Sequence, residues 1–317
     1  MARVSSSVSL VSLLILLFIS GISGVSFTLR NNCGYTVWPG ILSGAGTAPL
    51  STTGFVLQTG ESNSLSVPVG WSGRLWGRTL CSQDSTGQFS CVTGDCGSGK
   101  IECAGGATPP ATLAEFTLNG GGGLDFYDVS LVDGYNLPML VEPQNGSGGN
   151  CSVTGCVVDL NSACPSELKV TSTESSGSVA CKSACEAFGD PQYCCSGAYG
   201  NPNTCKPSSY SQFFKNACPH AYSYAYDDGT STFTCANANY LISFCPSSAS
   251  GTSRTSSEGK NPQAADVPPV NDTTMIYLGG PYFSGASSSL SRGSGSGRRL
   301  IIAVAVFAAI GRLWLLF

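Results

Sequence analysis

Apolar residues recur in short runs along the N-terminal half of the chain, either alternating with polar residues or nearly continuous. The runs are S-F-T-L-R (26–30), Y-T-V-W (35–38), G-F-V-L-Q (54–58), S-L-S-V-P-V (64–69), T-L-A-E-F-T-L (112–118) and L-D-F-Y-D-V-S-L-V (124–132). Gly, Pro, Asn and Ser separate them, which is typical of turns between short strands. The pattern predicts a mainly β fold, an antiparallel sandwich or barrel.

The pattern changes between residues 151 and 235, where ten cysteines fall within 85 residues and few strand-like runs occur. One segment, V-A-C-K-S-A-C-E-A-F (179–188), is compatible with a short helix. We expect this region to be a loop-rich lobe held by disulfides.

Two terminal segments have the features of targeting signals. Residues 1–24 combine Arg3, the apolar run Val8–Ile19 and small residues after it, which predicts a secretory signal peptide. At the other end, residues 300–317 form an apolar tail preceded by Arg298 and Arg299. A retained membrane span would leave no cytoplasmic tail and would bury Arg312.

A glycosylphosphatidylinositol (GPI) signal fits the C-terminal sequence better than a membrane span. It requires small residues at the attachment site, a polar spacer and a removable apolar tail. We expect attachment within Ser284, Gly285, Ala286, Ser287 and Ser288, with residues 288–317 removed. Residues 247–287 are rich in Ser, Thr, Gly and Pro, which predicts a disordered stalk between the folded domain (25–246) and the membrane.

Processing would make the chain more acidic. Removal of both signals takes away five of the fifteen Lys and Arg and none of the nineteen Asp and Glu, so the formal charge changes from −4 to about −9. Such a balance argues against binding of nucleic acid or of an anionic surface through a basic face.

The sixteen cysteines all follow the signal peptide and are accompanied by a single histidine, His220. None of their spacings is the C-x2-C of a zinc site, and an even number in a secreted chain indicates disulfides. We therefore expect eight disulfides, with no metal and no cofactor.

Several blocks of the chain closely resemble thaumatin-like proteins. They are G-Q-F-S-C-V-T-G-D-C-G-S-G-K-I-E-C (87–103), P-P-A-T-L-A-E-F (109–116), F-Y-D-V-S-L-V-D-G-Y-N-L-P-M (126–139), Y-C-C (193–195), C-P-H-A-Y-S-Y-A-Y-D-D (218–228) and S-F-C-P (243–246). The resemblance covers about 220 residues. It implies an antiparallel β-sandwich, a disulfide-rich lobe packed on one side and a small cystine-linked third region.

The resemblance also implies how the cysteines pair. Carried over to this numbering, the pairs are Cys33–Cys245, Cys81–Cys91, Cys96–Cys103, Cys151–Cys235, Cys156–Cys218, Cys164–Cys181, Cys185–Cys194 and Cys195–Cys205.

Acidic residues are concentrated between Ile101 and Leu168, where eight carboxylates occur without a Lys or Arg. If Ala114 and Phe116 face the core, Glu115 faces outward, and a hairpin turn at residues 120–123 would set it opposite Asp128. Like charges about 5 Å apart raise the pKa of one partner, so the two carboxyl groups are candidate catalytic residues, with Glu115 as acid and Asp128 as base or nucleophile. The alternative is that all eight are solvated acids on the outer face of a sheet.

The resemblance implies an acidic cleft lined by one arginine, one glutamate and three aspartates. The acids match Glu115, Asp128, Asp133 and Asp227, whereas the arginine position before Pro109 carries Thr108. Without that cation we expect a more negative cleft with raised carboxyl pKa values.

Other residues have possible carbohydrate roles. In Y-S-Y-A-Y (222–226), alternate tyrosines would share one face of a strand and could stack on sugar rings or could pack in a core. Asn145, Asn150 and Asn271 begin N-glycosylation sequons, and Asn150 is doubtful because Cys151 follows it.

Three functions remain open from the sequence. The first is a secreted plant defence protein, monomeric and antifungal, that binds β-1,3-glucan of fungal or host walls through the acidic cleft and is held on the plasma membrane by its lipid anchor. The second is a weak endo-β-1,3-glucanase that uses Glu115 and Asp128. The third is a structural or receptor-like wall protein in which the stalk and the anchor matter more than the cleft.

Overall fold

The computed structural model describes residues 24–173 and 177–246. The predicted signal peptide apart from Gly24, the predicted stalk and anchor region, and the sequon at Asn271 lie outside the described residues. Within the part of the chain that is described, no helix is long and apolar enough to cross a membrane.

Two sheets pack face to face. Their strands are β1 (Val25–Asn31), β2 (Trp38–Ser43), β3 (Ser62–Val67), β4 (Ser72–Gln83), β5 (Phe89–Thr93), β6 (Leu113–Thr117), β7 (Asp125–Ser130), β8 (Met139–Gln144), β9 (Ser147–Gly149), β10 (Thr154–Cys156), β13 (Phe233–Ala236) and β14 (Asn239–Phe244). The five-stranded sheet has the order β10-β8-β14-β1-β3. The second sheet has the order β2-β4-β6-β7-β13-β9, and β5 pairs with β4 at its side.

The mainly β prediction is confirmed, and five of the six predicted runs overlap strands, at β1, β2, β3, β6 and β7. The run at 54–58 forms only isolated bridges at Gly54 and Leu57, and that at 35–38 forms a bridge at Val37 and the start of β2. One pairing departs from a purely antiparallel sandwich, because β1 and β14 run parallel. Parallel neighbours require a long connection, and here almost the whole domain connects the two strands.

The core lies between the sheets and is rich in aromatic rings. Phe27 of β1 contacts Trp71 and Phe116, with ring centroids 5.8 and 4.4 Å apart. Tyr240 of β14 packs against Phe116 and Tyr127 of the opposite sheet at 5.1 and 5.2 Å. These rings are almost fully buried, so their burial is a major source of stability.

The lobe contains the two-stranded sheet of β11 (Lys169–Thr171) and β12 (Ser178–Cys181) and most of the helices. The helices are α1 (Ala184–Phe188), α2 (Pro191–Cys194), α3 (Ser209–Ala217) and α4 (Asp228–Ser231). The helix predicted over 179–188 is therefore wrong in its first half, because Val179–Cys181 pair with β11. Ser183 caps α1 by accepting a hydrogen bond from the Glu186 amide, and this cap places the helix start after the strand.

All sixteen cysteines are bonded in the eight pairs that the resemblance implies. Cys33–Cys245 closes a separation of 212 residues and fastens the end of β14 to the segment after β1. In the chain-entropy model such a loop stabilises the folded state by roughly 5 kcal/mol. Five pairs lie wholly within residues 151–235, which explains how a lobe with little secondary structure holds its shape.

Candidate acidic cleft

Three charged residues form a row across the outer face of three neighbouring strands. Glu115 of β6 lies directly opposite Asp128 of β7, as the sequence predicts, and directly opposite Arg74 of β4 on its other side. The hairpin of Gly120–Leu124 sets the first pairing, since Gly122 and Gly123 take positive φ angles in a compact turn. Alternation along β6 buries Ala114 and Phe116 and directs Glu115 away from the core.

The lobe covers this face of the sheet. Tyr222 forms a parallel bridge with Ser130 at the end of β7, and its backbone accepts from the Leu131 amide and donates to the Val129 carbonyl, both at 2.9 Å. Asp128 is consequently only 9% exposed although it points away from the sandwich core. Its Oδ2 is buried and has no hydrogen-bond partner among the described residues.

Burial dominates the electrostatics of the row. It raises the pKa of Glu115 to about 7, with the Arg74 charge acting to lower it and Asp133 acting to raise it further. Burial also raises the pKa of Asp128 well above its usual range, and Glu115 and Asp228 add to that increase. The sequence predicts a raised pKa for one of the two carboxyl groups, whereas the pKa is raised for both, and desolvation is a larger cause than like-charge repulsion.

Asp133 follows β7 and extends the acidic surface towards the lobe. Its backbone carbonyl accepts from the Ala111 amide at 2.9 Å, which fixes the turn that carries it. Burial raises the pKa of its carboxyl group, while the charge of Arg74 lowers it. Arg74 therefore acts on two of the acids that the sequence analysis selected.

The expected loss of positive charge from the cleft does not occur, although the carboxyl pKa values are raised as expected. Thr108 is exposed, and its amide donates to the carbonyl of Asp95 in the loop after β5. Arg74 supplies the positive charge instead, from the strand next to Glu115. The sequence analysis missed Arg74 because it lies in β4, which none of the predicted runs included.

The two neighbouring aspartates of the lobe have different partners. Asp227 forms a salt bridge with Lys215 at 2.8 Å, and its Oδ2 also accepts from the amide and hydroxyl of Ser223. Asp228 raises the pKa of Asp128 by its charge and accepts at 2.8 Å from the Tyr222 hydroxyl. Asp228, which was not predicted from the sequence, thus acts on Asp128 by its charge, and Asp227 binds Lys215 and Ser223 in the loop that carries Asp228.

The tyrosines of 222–226 do not share a strand face. Tyr222 is the only one in a bridge, and it is buried with its hydroxyl on Asp228 and Thr232. Tyr224 and Tyr226 lie in the following turn and are partly exposed. The shared face of three tyrosines, on which both the sugar-stacking and the core-packing alternatives depended, is therefore absent from this described segment.

We call Arg74, Glu115, Asp128, Asp133 and Asp228 the acidic cleft. Glu115 and Asp128 lie opposite each other on neighbouring strands, and one of the two carboxyl groups can hold a proton near neutral pH. Such a pair can donate hydrogen bonds to sugar hydroxyls and accept hydrogen bonds from them, or it can perform acid–base chemistry. Arg74 can donate hydrogen bonds to the same ligand.

Two of the three sequons lie on the surface near β9. Asn145 is exposed in the turn before β9, with a positive φ of 59°. Asn150 is also exposed, but its Oδ1 accepts from the Thr234 amide at 3.2 Å and Cys151 is bonded to Cys235. Asn145 is the less constrained acceptor of the two.

The fold and the cleft describe a disulfide-rich β-sandwich protein with a lobe packed on one sheet. Charged residues lie between the sandwich and the lobe. The thaumatin family model matches residues 31–246, and the chain belongs to the thaumatin family.

Three relatives illustrate the range of names within that similarity. The chain is 61% identical over 229 residues to thaumatin-like protein 1 of Arabidopsis thaliana, with 70% of this chain and 86% of the relative covered. It is 60% identical over 220 residues to pathogenesis-related protein 5 of Arabidopsis thaliana, covering 69% and 90%. It is 55% identical over 223 residues to a glucan endo-1,3-beta-glucosidase of Prunus avium, covering 70% and 90%.

Proposed function

We propose that this protein is a cell-surface defence protein that binds β-1,3-glucan through the acidic cleft. The observation that carries the proposal is the Glu115–Asp128 pair, in which Asp128 is buried and its Oδ2 has no hydrogen-bond partner among the described residues. A buried carboxyl oxygen without a partner is costly, and a glycan hydroxyl would satisfy it. The similarity to a pathogenesis-related protein supports a role in defence.

A second candidate is weak hydrolysis of the same glucan. The similarity to a relative named glucan endo-1,3-beta-glucosidase favours it. The carboxyl groups of Glu115 and Asp128, which lie opposite each other on neighbouring strands, favour it as well. The surroundings favour roles opposite to those first assigned. Arg74 beside Glu115 stabilises its ionised form, and the deeper burial of Asp128 favours its protonated form. Asp128 would then donate the proton to the leaving oxygen, and Glu115 would act as base or nucleophile.

The test uses the full-length chain, secreted by a eukaryotic host and purified with its disulfides intact. Retention on insoluble β-1,3-glucan and release of reducing ends are measured for the wild type, Glu115→Gln, Asp128→Asn and the double variant. Glu142→Gln is the matched control, because Glu142 is a partly buried carboxyl on β8 of the other sheet.

The expected result is retention of the wild type and of the control, with at least a tenfold weaker affinity in the double variant. Reducing ends that appear with the wild type and disappear with either single variant would establish the second function as well. A wild type that is not retained by the glucan would refute the proposal.

We also propose that the protein is secreted and held on the outer face of the plasma membrane by a GPI anchor. Support comes from the two terminal sequences and from eight disulfides, which require an oxidising compartment. Phosphatidylinositol-specific phospholipase C should release the protein from intact cells. Retention after this treatment would support a membrane span instead.

A further inference from the structure

The start of α1 is held against the turn that carries Asp133. Tyr135 and Cys181 exchange two backbone hydrogen bonds, of 2.8 and 2.7 Å, between the sandwich and β12. Gly134 fits tightly there, since a Cβ at this position would lie 2.7 Å from the Cys181 carbonyl oxygen. The chain continues from Cys181 through Ser183 into α1, so the first turn of α1 is fixed beside Asp133.

Glu186 lies in that first turn, with its carboxyl group largely enclosed. The side chain is 22% exposed, and Oε1 is 3.9 Å from Lys182 Nζ. Oε2 is buried and has no hydrogen-bond partner within the described residues. Burial raises the pKa of Glu186 to about 7, Lys182 opposes the increase and the charge of Asp133 adds to it.

Unpartnered buried carboxyl oxygens therefore occur on both sides of the acidic cleft. Asp128 Oδ2 belongs to the sandwich and Glu186 Oε2 to the lobe. Asn161 Oδ1 is also unpartnered, but its amide nitrogen donates to the carbonyls of Asn136 and Val179, which gives Asn161 a structural role. Native proteins leave few such atoms unsatisfied, so two carboxyl oxygens near one cleft indicate a ligand that carries several hydroxyl groups.

A small cavity lies in the lobe close to this contact. It is lined mainly by lobe residues, among them Ser183, Cys185 and Tyr224, and by Val132 from the sandwich. Val132 and Cys185 are the chain neighbours of Asp133 and Glu186. The ligand that Asp128 and Glu186 fit is neutral and polyhydroxylated, because an anion would meet their carboxyl groups and that of Asp133.

We propose that Glu186 is a further carbohydrate-binding residue, through which the lobe contacts a different sugar unit of the glucan chain from the one that Glu115 and Asp128 contact. The inference rests on the proposed function of the acidic cleft. Glu186 was not among the acids predicted from the sequence to bind the glycan. Its contact would make the lobe a determinant of the length of glucan that is recognised.

The test compares β-1,3-gluco-oligosaccharides of two to seven units by titration calorimetry with the full-length wild type, Glu186→Gln and Asp128→Asn. For the longer oligosaccharides, Glu186→Gln should weaken binding about tenfold. For the shortest that bind, it should change affinity less than twofold. Asp128→Asn should weaken binding at every length. Glu142→Gln is the control for loss of a partly buried carboxylate.

Thermal unfolding separates a binding role from a structural one. Both Glu186→Gln and Glu186→Ala should keep the wild-type midpoint, because neither removes the Ser183 cap, which uses the Glu186 backbone amide. Equal affinities of wild type and both variants at every length would overturn the inference while leaving the proposed function intact. Loss of binding at all lengths alike would also overturn it, and a wild type that binds none of the oligosaccharides would refute the proposed function itself.

Discussion

Arg74 and Glu115 lie directly opposite each other on β4 and β6. Burial raises the pKa of Glu115 and the guanidinium group of Arg74 lowers it, and the result is a pKa of about 7. Replacing Arg74 by Gln should therefore raise the pKa of Glu115 above that value. The titration can be followed by NMR of the labelled side-chain carboxyl carbon. Arg30→Gln, on β1 of the other sheet, should leave the titration unchanged. An unchanged Glu115 pKa in Arg74→Gln would contradict this assignment.

The raised pKa of Glu115 should make the domain less stable at alkaline pH. In the folded chain the carboxyl group keeps its proton up to about pH 7, whereas its ordinary pKa is 4.5. Between these values the folded state binds more protons than the unfolded state, so the free energy of unfolding falls as pH rises. We expect a loss of about 1–3 kcal/mol between pH 4.5 and pH 8, measured by denaturant unfolding.

Glu115→Gln should reduce this pH dependence and should stabilise the domain at pH 8. The exposed Glu61 is the control, and Glu61→Gln should preserve the wild-type slope. A Glu115→Gln variant that is less stable than wild type at pH 8 would contradict the prediction. It would show that interactions in the folded protein stabilise the ionised Glu115 carboxylate.

Gly134→Ala should destabilise the contact between sandwich and lobe. Gly134 has a φ of 83°, and an added Cβ would lie 2.7 Å from the Cys181 carbonyl oxygen and 2.8 Å from Pro110. We expect a loss of at least about 2 kcal/mol in the free energy of unfolding, from backbone strain plus the clash.

Gly60→Ala is the matched control for this substitution. Gly60 has nearly the same φ, 81°, and a Cβ there would meet nothing within 4 Å. It should cost about 1 kcal/mol, the strain alone. Equal losses in the free energy of unfolding for Gly134→Ala and Gly60→Ala would contradict the prediction. They would mean that the lobe shifts at little cost to accommodate the added methyl group.

Lys215 should be important for the loop that carries Asp228. Its ammonium group donates to Asp227, to Ser231 Oγ at 2.8 Å and to the Ala221 carbonyl at 3.1 Å, mostly out of solvent. Lys215→Met should cost about 3 kcal/mol because it leaves the buried carboxylate of Asp227 uncompensated.

A double-mutant cycle tests this salt bridge. Asp227→Asn should be less damaging in the Lys215→Met background than in the wild type. Lys182→Met is the control and should cost less than about 1 kcal/mol, because its 3.9 Å pair with Glu186 is partly exposed. Additive effects of the two substitutions would argue against the bridge as a source of stability.

Asn145 should carry an N-glycan more completely than Asn150. Asn145 is exposed in a turn, whereas the side chain of Asn150 is bonded to the Thr234 amide and precedes a disulfide. Both sites lie in one tryptic peptide, so mass spectrometry with fragmentation that keeps the glycan attached is used to locate it and to measure the occupancy of each asparagine. Ser147→Ala, which removes the sequon of Asn145, should abolish most of the glycan within residues 25–246. Higher occupancy at Asn150 would contradict the prediction.

Features that depend on local order along the chain could be predicted from the amino-acid sequence. Alternation over 112–118 and 124–132, with a Gly-rich turn between them, set β6 against β7 and therefore Glu115 opposite Asp128. A short hairpin fixes register because the turn leaves few ways to pair the strands. The cysteine framework was likewise available from the resemblance, and the structure has the same eight pairs.

Which charged residues join that pair depends on contacts between segments that are distant in the sequence. Arg74 meets Glu115 through a pairing between residues 41 positions apart, which no short turn fixes. Asp228 and Glu186 come from the lobe, and the backbone contacts of Tyr222 and Cys181 with the sandwich bring them to the cleft. The same packing buries Asp128 on a face that alternation alone predicts to be solvated. Burial, which sets the pKa values here, depends on what covers a residue, and strand periodicity specifies only the direction in which its side chain points.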